Sequence, residues 1–250
     1  MKIEIMTLFP DMCARMFSES IIGRGIENGL VTIRCHQIRD WTTNKQCQVD
    51  DYPYGGGGGM VMQADPLFRC HEHICAEFGG GEHIHTIFMS PCGSRFDQGH
   101  ARRLLTKKHI ILVCGHYEGV DQRFIDECVD EEISLGDFVL TGGEIAACAI
   151  ADAICRMVPG VLADSSSFEN ESHWAGLLEY PQYSRPLRWH DREVPEILLS
   201  GHHANIEKWR REMSIARTAE RRPDMLASAE LTDKERADLI ARGILKSDKE

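Results

Sequence analysis

Apolar runs of strand length recur along the first two thirds of the chain, separated by patterns of helical period. Lys2 to Phe9 is an apolar-rich run closed by Pro10, and Asp11 stands where a helix N-cap belongs. The helical pattern behind it passes through Met12 and Met16 and ends among the glycines between Gly23 and Gly29. Leu30 to Ile38 reads as a second strand. Asp65-Pro66 opens a helix to about Phe78, because a proline in the first turn lacks only an N–H that has no partner there. Ile84 to Met89 and His109 to Val113 read as further strands. A helix over Asp97 to Thr106 lies between them, and a short one over Asp121 to Val129 follows. Ile133 to Leu135 is a short strand, and the alanine-rich run from Glu144 favours helix. Strands alternating with helices predict an α/β fold with a mostly parallel sheet, whose ligands sit at the carboxyl ends of the strands.

Three glycine-bearing turns follow three of these strands and should meet at one site: Ser90-Pro-Cys-Gly93, Cys114-Gly-His-Tyr-Glu-Gly119, and Leu135-Gly-Asp-Phe-Val-Leu-Thr-Gly-Gly143. Glycine lets a backbone turn tightly and approach a ligand closely. The third turn is apolar where a phosphate loop would be polar. It predicts a pocket for an apolar or aromatic group held largely by backbone atoms; an ordinary buried strand-turn-helix fits the same residues. No G-x-G-x-x-G is present, which excludes the usual dinucleotide site. The five-glycine loop within Val49 to Met60 lacks the G-K-[ST] ending of a nucleotide loop. Asp50 and Asp51 beside it either touch a substrate or keep the loop in water.

Past Pro159-Gly160 the composition shifts to a polar, serine-rich stretch and then to the proline-punctuated segment Gly176 to Pro186. We expect a first domain over residues 1–162, a linker over 163–177, and a helical domain over 178–250, helical from Asn205 and ending in a small segment from Leu231. The formal net charge of −11 argues against nonspecific nucleic-acid binding by the whole surface. Against that acidic background, Lys208-Trp-Arg-Arg211, Arg217 and Arg221-Arg222 form a basic run suited to phosphates. The ten cysteines form no C-x-x-C pair, which fits reduced thiols. With no membrane-length apolar run and no signal-peptide pattern, a cytoplasmic location is expected. Cys70, His71, His73 and Cys75, with His83 and His85, look like metal ligands. They fall on different helix faces with no ligand spacing, so no metal site is expected.

As a set and in order, MTLFPDM, VDDYPYGGGGGMVM, LVCGHYEGVDQR, EISLGDFVLTGGE, PGVL, GLLEYPQYSRP and SGHHANIEKWRREMSIARTAERRPDML cover most of the chain. They resemble the bacterial tRNA (guanine-N1)-methyltransferases that modify guanine 37 beside the anticodon. The resemblance implies a deep trefoil knot in the sheet domain, which periodicity alone does not predict. It also implies a homodimer with the active site at the subunit interface. S-adenosyl-L-methionine is the implied methyl donor, contacted by Pro91, Gly115, Glu118, Leu135, Gly136, Asp137, Phe138, Val139, Leu140, Gly142 and Gly143. It leaves room for Mg2+ to assist deprotonation. Asp50, His202, His203, Lys208, Arg210, Arg217 and Arg222 become the candidates for tRNA contact.

Guanine N1 carries a proton at neutral pH, so methylation there needs a base at N1 and a cation or hydrogen-bond donor at O6. The family's arginine for O6 matches Arg156. Its aspartate base is replaced: counting from Gly160-Val-Leu to Gly176-Leu-Leu without a gap puts Glu171 there, with Glu169 next if the register shifts and Ser172 ordering the segment. A carboxylate is kept, with one more methylene of reach. Tyr52 also departs from the smaller residue usual in the glycine-rich loop. Two alternatives to this enzyme are a catalytically silent tRNA-binding protein and a different knotted RNA methyltransferase, for instance one acting on ribose.

Overall fold

A computed structural model describes residues 1–78, 83–163, 168 and 171–246. Five parallel strands make its central sheet: β1 (Lys2–Thr7), β2 (Thr32–Gln37), β5 (His85–Arg95), β6 (His109–Cys114) and β7 (Glu131–Ser134), in the order β2-β1-β6-β5-β7. Both faces are covered, and the pleat decides which residue goes where. Ile3 and Ile5 of β1, Ile110 and Leu112 of β6 and Ile87 of β5 face one core. That core is closed by α1 (Pro10–Met16), α2 (Ser20–Glu27), α4 (Gln98–Leu105) and α6 (Glu144–Cys155). Met6, Ile111, Val113 and Phe88 face the other, under α3 (Ala64–Glu77) and α5 (Gln122–Cys128). The chain falls into two compact units, Met1–Ser165 and Ser166–Glu250.

Three expectations change. The first helical pattern is broken in two between Met16 and Ser20, with Ser20 in the left-handed region at φ 62°, a turn that lets both Phe17 and Ile22 enter the core. Asp11 lies inside the first turn of α1, where it complements the helix dipole, while Phe9 occupies the cap. β5 also runs beyond Met89, through an irregularity spanning Ser90 to Gly93, to rejoin β7 at Ser94 and Arg95. A side chain at Gly93 would collide with the Glu132–Ile133 backbone, so the strand can pass only as glycine. The five-glycine loop hangs from a short antiparallel pair, β3 (Asp50–Asp51) and β4 (Val61–Met62).

The second unit holds β8 (Arg188–Trp189) paired with β9 (Arg192–Glu193), then α7 (His203–Arg221) and α8 (Asp233–Ala241). Leu177, Leu226, Ala229 and Leu239 form its small core. Segment 171–177 packs into this unit: His173 N–H donates to Leu177 O at 2.8 Å, and Gly176, at φ 74°, fits against the Ala229 backbone. Thr232 and Glu235 form a reciprocal capping box on α8. Arg211 of α7 binds the same Glu235 at 2.9 Å. The Arg211 guanidinium, with the Thr232 hydrogen bonds, outweighs burial and holds the Glu235 carboxyl down at about 2. A carboxyl depressed in the fold stabilises it above its ordinary value and loses that contribution as pH falls through the folded value. In thermal unfolding, Glu235→Gln should therefore melt below the wild type at pH 7. The gap should close as pH drops from about 4.5 toward 2.

Candidate active site

The irregular stretch within β5 and the carboxyl ends of β6 and β7 carry the three glycine-bearing segments, and the structure brings them together around a cavity of about 190 Å³. Pro91, Gly115, Glu118, Leu135, Phe138, Val139, Leu140, Gly142 and Gly143 line it. Gly136 and Asp137, from the same turn, stand outside its wall. Asp137 is exposed, and Gly136 backs onto the Phe138 ring.

Close backbone approach explains the glycines. Gly143 N–H donates to Gly115 O at 2.9 Å, and a Cβ at Gly143 would lie 2.8 Å from Cys114 Cα. A Cβ at Gly142 would strike the His116 imidazole and the Glu144 carboxylate. Gly115 in turn sits against the Phe88 ring. The turn after β6 is clipped from outside as well: Glu118 N–H donates to Met60 O and Met62 N–H to Gly119 O, both at 2.9 Å. The exit of the five-glycine loop is thus a support for this turn.

Beneath the turns lies Glu144, a buried carboxylate at the first position of α6, where the helix dipole favours negative charge. Thr7 Oγ1 donates to its Oε1 at 2.7 Å, and His116 Nε2 lies 3.6 Å from its Oε2. Thr7 Oγ1 also accepts from Phe9 N–H at 2.9 Å. This chain of contacts fastens the end of β1 to two turns of the cavity. Cys114, behind the wall, is no nucleophile: burial, and then the Glu144 charge, push its thiol well above the usual range.

The cavity wall is apolar and rich in backbone groups, and among the described residues Glu118 is its sole carboxylate, with no Lys or Arg. Such a wall repels phosphate and suits a ligand with an aromatic part and a positive charge. S-adenosyl-L-methionine, an adenosine with a sulfonium, has those properties. Phe88, Met89, Ser90, His116, Tyr117, Ile133, Ser134 and Thr141 line the cavity too. Ser90, His116, Tyr117 and Thr141 belong to the turns expected to meet, whereas Phe88, Met89, Ile133 and Ser134 lie in the strands before them and carry no site signal in the sequence. Val139, 84% exposed, and Phe138 stand at the mouth.

Arg156 is the half-buried C-cap of α6 in the first unit, and Glu171 is half-buried in the second. There Glu171 lines a cleft of about 140 Å³ with Tyr180, Arg210 and Arg211. Ser172 Oγ accepts from Glu179 N–H at 2.9 Å, tying this segment to the next. Glu169 lies outside the described residues. Asp50 is half-buried at the start of β3, while Tyr52 is exposed.

The basic run maps to α7 and its end. His202 caps α7 and His203 opens it, both exposed. Lys208 faces Glu212 at 3.9 Å, Arg210 bonds Glu207 at 2.6 Å, and Arg222 bonds Asp224 at 2.6 Å. Arg217 reaches Glu179 O at 3.4 Å. The face therefore carries less net positive charge than the run of arginines implied.

Of the Cys70–Cys75 group, Cys75 Sγ meets His71 at 3.8 Å, but among the described residues the four do not gather at one point. Cys70 is buried, His71 bonds Thr86 Oγ1 at 2.9 Å, and His73 pairs with Glu77 at 3.2 Å and packs on Trp41. His83 and His85 instead meet Asp130, with one ligand atom from each within 4.8 Å of the others, a set able to hold a metal ion. Asp130 carries no sequence signal, because only the alignment of β5 with β7 brings it there.

Residues 1–228 match the family model described as tRNA (Guanine-1)-methyltransferase TrmD. A curated protein of Alkaliphilus metalliredigens, named tRNA (guanine-N(1)-)-methyltransferase, is 51% identical over 235 residues, covering 94% of this chain and 95% of its own. One of the same name from Desulforudis audaxviator is 51% identical over 244 residues, 97% of each chain. Another from Ruminiclostridium cellulolyticum is 50% identical over 225 residues, covering 90% of this chain and 96% of its own. No helix among the described residues is long and apolar enough to cross a membrane.

Gly143→Ala should force apart the turns that form the cavity. Overpacking of this kind costs about 1–3 kcal/mol, so affinity for S-adenosyl-L-methionine, measured by calorimetry, should fall roughly tenfold or more. Gly58→Ala is the control, since nothing lies within 4 Å of the added carbon. It should bind as the wild type does.

Proposed function

Because this chain belongs to the tRNA (guanine-1)-methyltransferase family, we propose that it transfers a methyl group from S-adenosyl-L-methionine to N1 of guanine 37 in tRNA. The cavity carries this reading: three turns pressed together through glycines, with one carboxylate and no cation in the wall. In it, Gly115, Leu140, Gly142 and Gly143 offer backbone groups and Leu135 and Phe138 offer apolar surface, while Glu118 answers a positive charge. Bound there, S-adenosyl-L-methionine supplies a methyl group already activated on a positively charged sulfur.

The protein's own work is on the guanine. Glu171 accepts the N1 proton, and the electron pair left on N1 forms the new N–CH3 bond as the carbon–sulfur bond breaks. Arg156 faces O6, where negative charge gathers as the proton leaves, and its fixed cation lowers the energy of that state. Glutamate in place of the family's aspartate keeps the base and lengthens its reach.

A homodimer belongs to the same proposal. Phe9, Met12 and Met16, before and along α1, and Ile145, on the neighbouring α6, are exposed. The Phe9 ring lies 5.1 Å from that of His116 in the cavity wall. A second copy covering this apolar face would close the site at an interface, where the base and the arginine can come from different subunits. The trefoil knot and a cytoplasmic location are likewise part of the proposal, and the basic residues of α7 with Asp50 are its tRNA contacts.

Two transcripts differing only in guanine or adenine at position 37 provide the test. Label from S-adenosyl-L-methionine should enter the guanine transcript alone. Glu171→Gln should lower the rate by about 10² to 10⁴, the usual contribution of a positioned general base. Full activity in that variant would favour an enzyme acting on ribose. Intact tRNA binding without label on either transcript would mean a silent binding protein. Repeating the assay without Mg2+ shows whether N1 deprotonation draws on that ion.

A further inference from the structure

The second unit contains a cavity of about 860 Å³ between the extended segment 180–187 and α7. We propose that it docks one unpaired nucleotide of the tRNA, its base stacked on Tyr183 and Trp209 and its phosphate met by Arg185 and Arg210. The proposal rests on tRNA being the substrate.

Charge is the first observation. On a chain of formal net charge −11, no carboxylate among the described residues lines this cavity, while Arg185 and Arg210 do. Aromatic surface is the second. Tyr183 and Trp209 stand with ring centroids 6.4 Å apart and planes tilted by 50°, and Tyr183 is 47% exposed. Rings so tilted cannot sandwich a base, but one can take it face-on while the other meets its edge. Exposed Leu187 and Leu199 extend the apolar surface around them. Every base offers a π-face, and unpaired bases of an RNA loop are commonly held on such rings.

Arg210 is the third observation. Its guanidinium lies 4.9 Å over the Tyr180 ring, and Nη1 bonds Glu207 at 2.6 Å. Its Nε is the buried side-chain polar atom left without a hydrogen-bond partner among the described residues. Buried donors are seldom left so, and a guanidinium with an unmade bond gains from an incoming anion. The platform is also pre-set. Leu178 N–H donates to Thr218 Oγ1 at 2.8 Å, Arg217 holds Glu179 O, and Val194 N–H donates to Leu187 O at 3.1 Å. The extended segment, proline-punctuated and without regular secondary structure, is therefore fixed at both ends, with the Tyr183 ring exposed between them.

Stacking and charge separate in a salt titration. Neutralising a phosphate contact lowers the slope of log affinity against log salt by about one, whereas losing a stack lowers affinity without changing the slope. Binding of unmodified tRNA transcript to the full-length protein would be measured at several salt concentrations for wild type, Tyr183→Ala, Tyr183→Phe, Trp209→Phe and Arg185→Gln. Tyr183→Ala should weaken binding roughly tenfold at unchanged slope, with Tyr183→Phe near wild type. Arg185→Gln should flatten the slope. S-adenosyl-L-methionine affinity should be unchanged in all. Transcripts carrying 2-aminopurine at single anticodon-loop positions should show one position whose fluorescence the wild type quenches and Tyr183→Ala does not. Wild-type affinity and quenching in Tyr183→Ala would overturn the proposal. So would a change in oligomeric state without a change in tRNA affinity, which would mark the cavity as a contact between copies. A wild type that binds no tRNA would overturn the functional reading itself.

Discussion

The buried carboxylate of Glu144 ties the cavity end of the sheet together. Glu144 opens α6 beneath the glycine turn, bonded to Thr7 at the end of β1 and facing His116 in the turn after β6. Hydrogen bonding and the helix N-terminus replace the hydration that this carboxylate loses on burial. Those contacts bring three chain segments, remote in sequence, to one point. The glycines follow from it: with Glu144 and His116 where they are, position 142 has no room for a side chain, and position 143 lies against Cys114. The cavity is thus the space left by a polar anchor and a tight backbone crossing, and its apolar wall follows from the same crowding.

The two units divide the chemistry. The first presents an apolar cavity with one carboxylate, suited to a cationic donor. The second carries the cations and rings, spread along α7 and the segment before it. On the proposed function, this distribution is how an acidic protein would address a polyanion. Helix α7 holds five Lys or Arg against three Glu, and several of its cations are already paired, so attraction is local and moderate. Stacking can then contribute what charge does not.

Much of the fold was legible in advance. The apolar runs Lys2 to Phe9, Ile84 to Met89 and His109 to Val113 read as strands, and three glycine-bearing segments, one within β5 and two after β6 and β7, announced a site. Asp97 and Asp121 sit at the helix starts where their side chains cap: Asp97 accepts from His100 N–H and Asp121 from Arg123 N–H. The helix break before Ser20 was not legible, because it serves the burial of Phe17 and Ile22 rather than any local preference. Nor was the passage of β5 through Ser90 to Gly93, where four residues that read as a turn are spanned by a continuing strand.

Local chemistry and period are written in the residues themselves, so strand and helix types, the two-part composition and the family motifs follow from the chain alone. Which residues meet is a matter of register and of crossing between distant segments. His116 beside Glu144, Asp130 beside His83, and Tyr183 beside Trp209 are pairs that sequence spacing does not contain. They exist because parallel strands align 47 residues apart in one case, a helix N-terminus lands under a turn in another, and an extended segment is pinned along a helix in the third. Tertiary packing alone brings those groups within reach of each other.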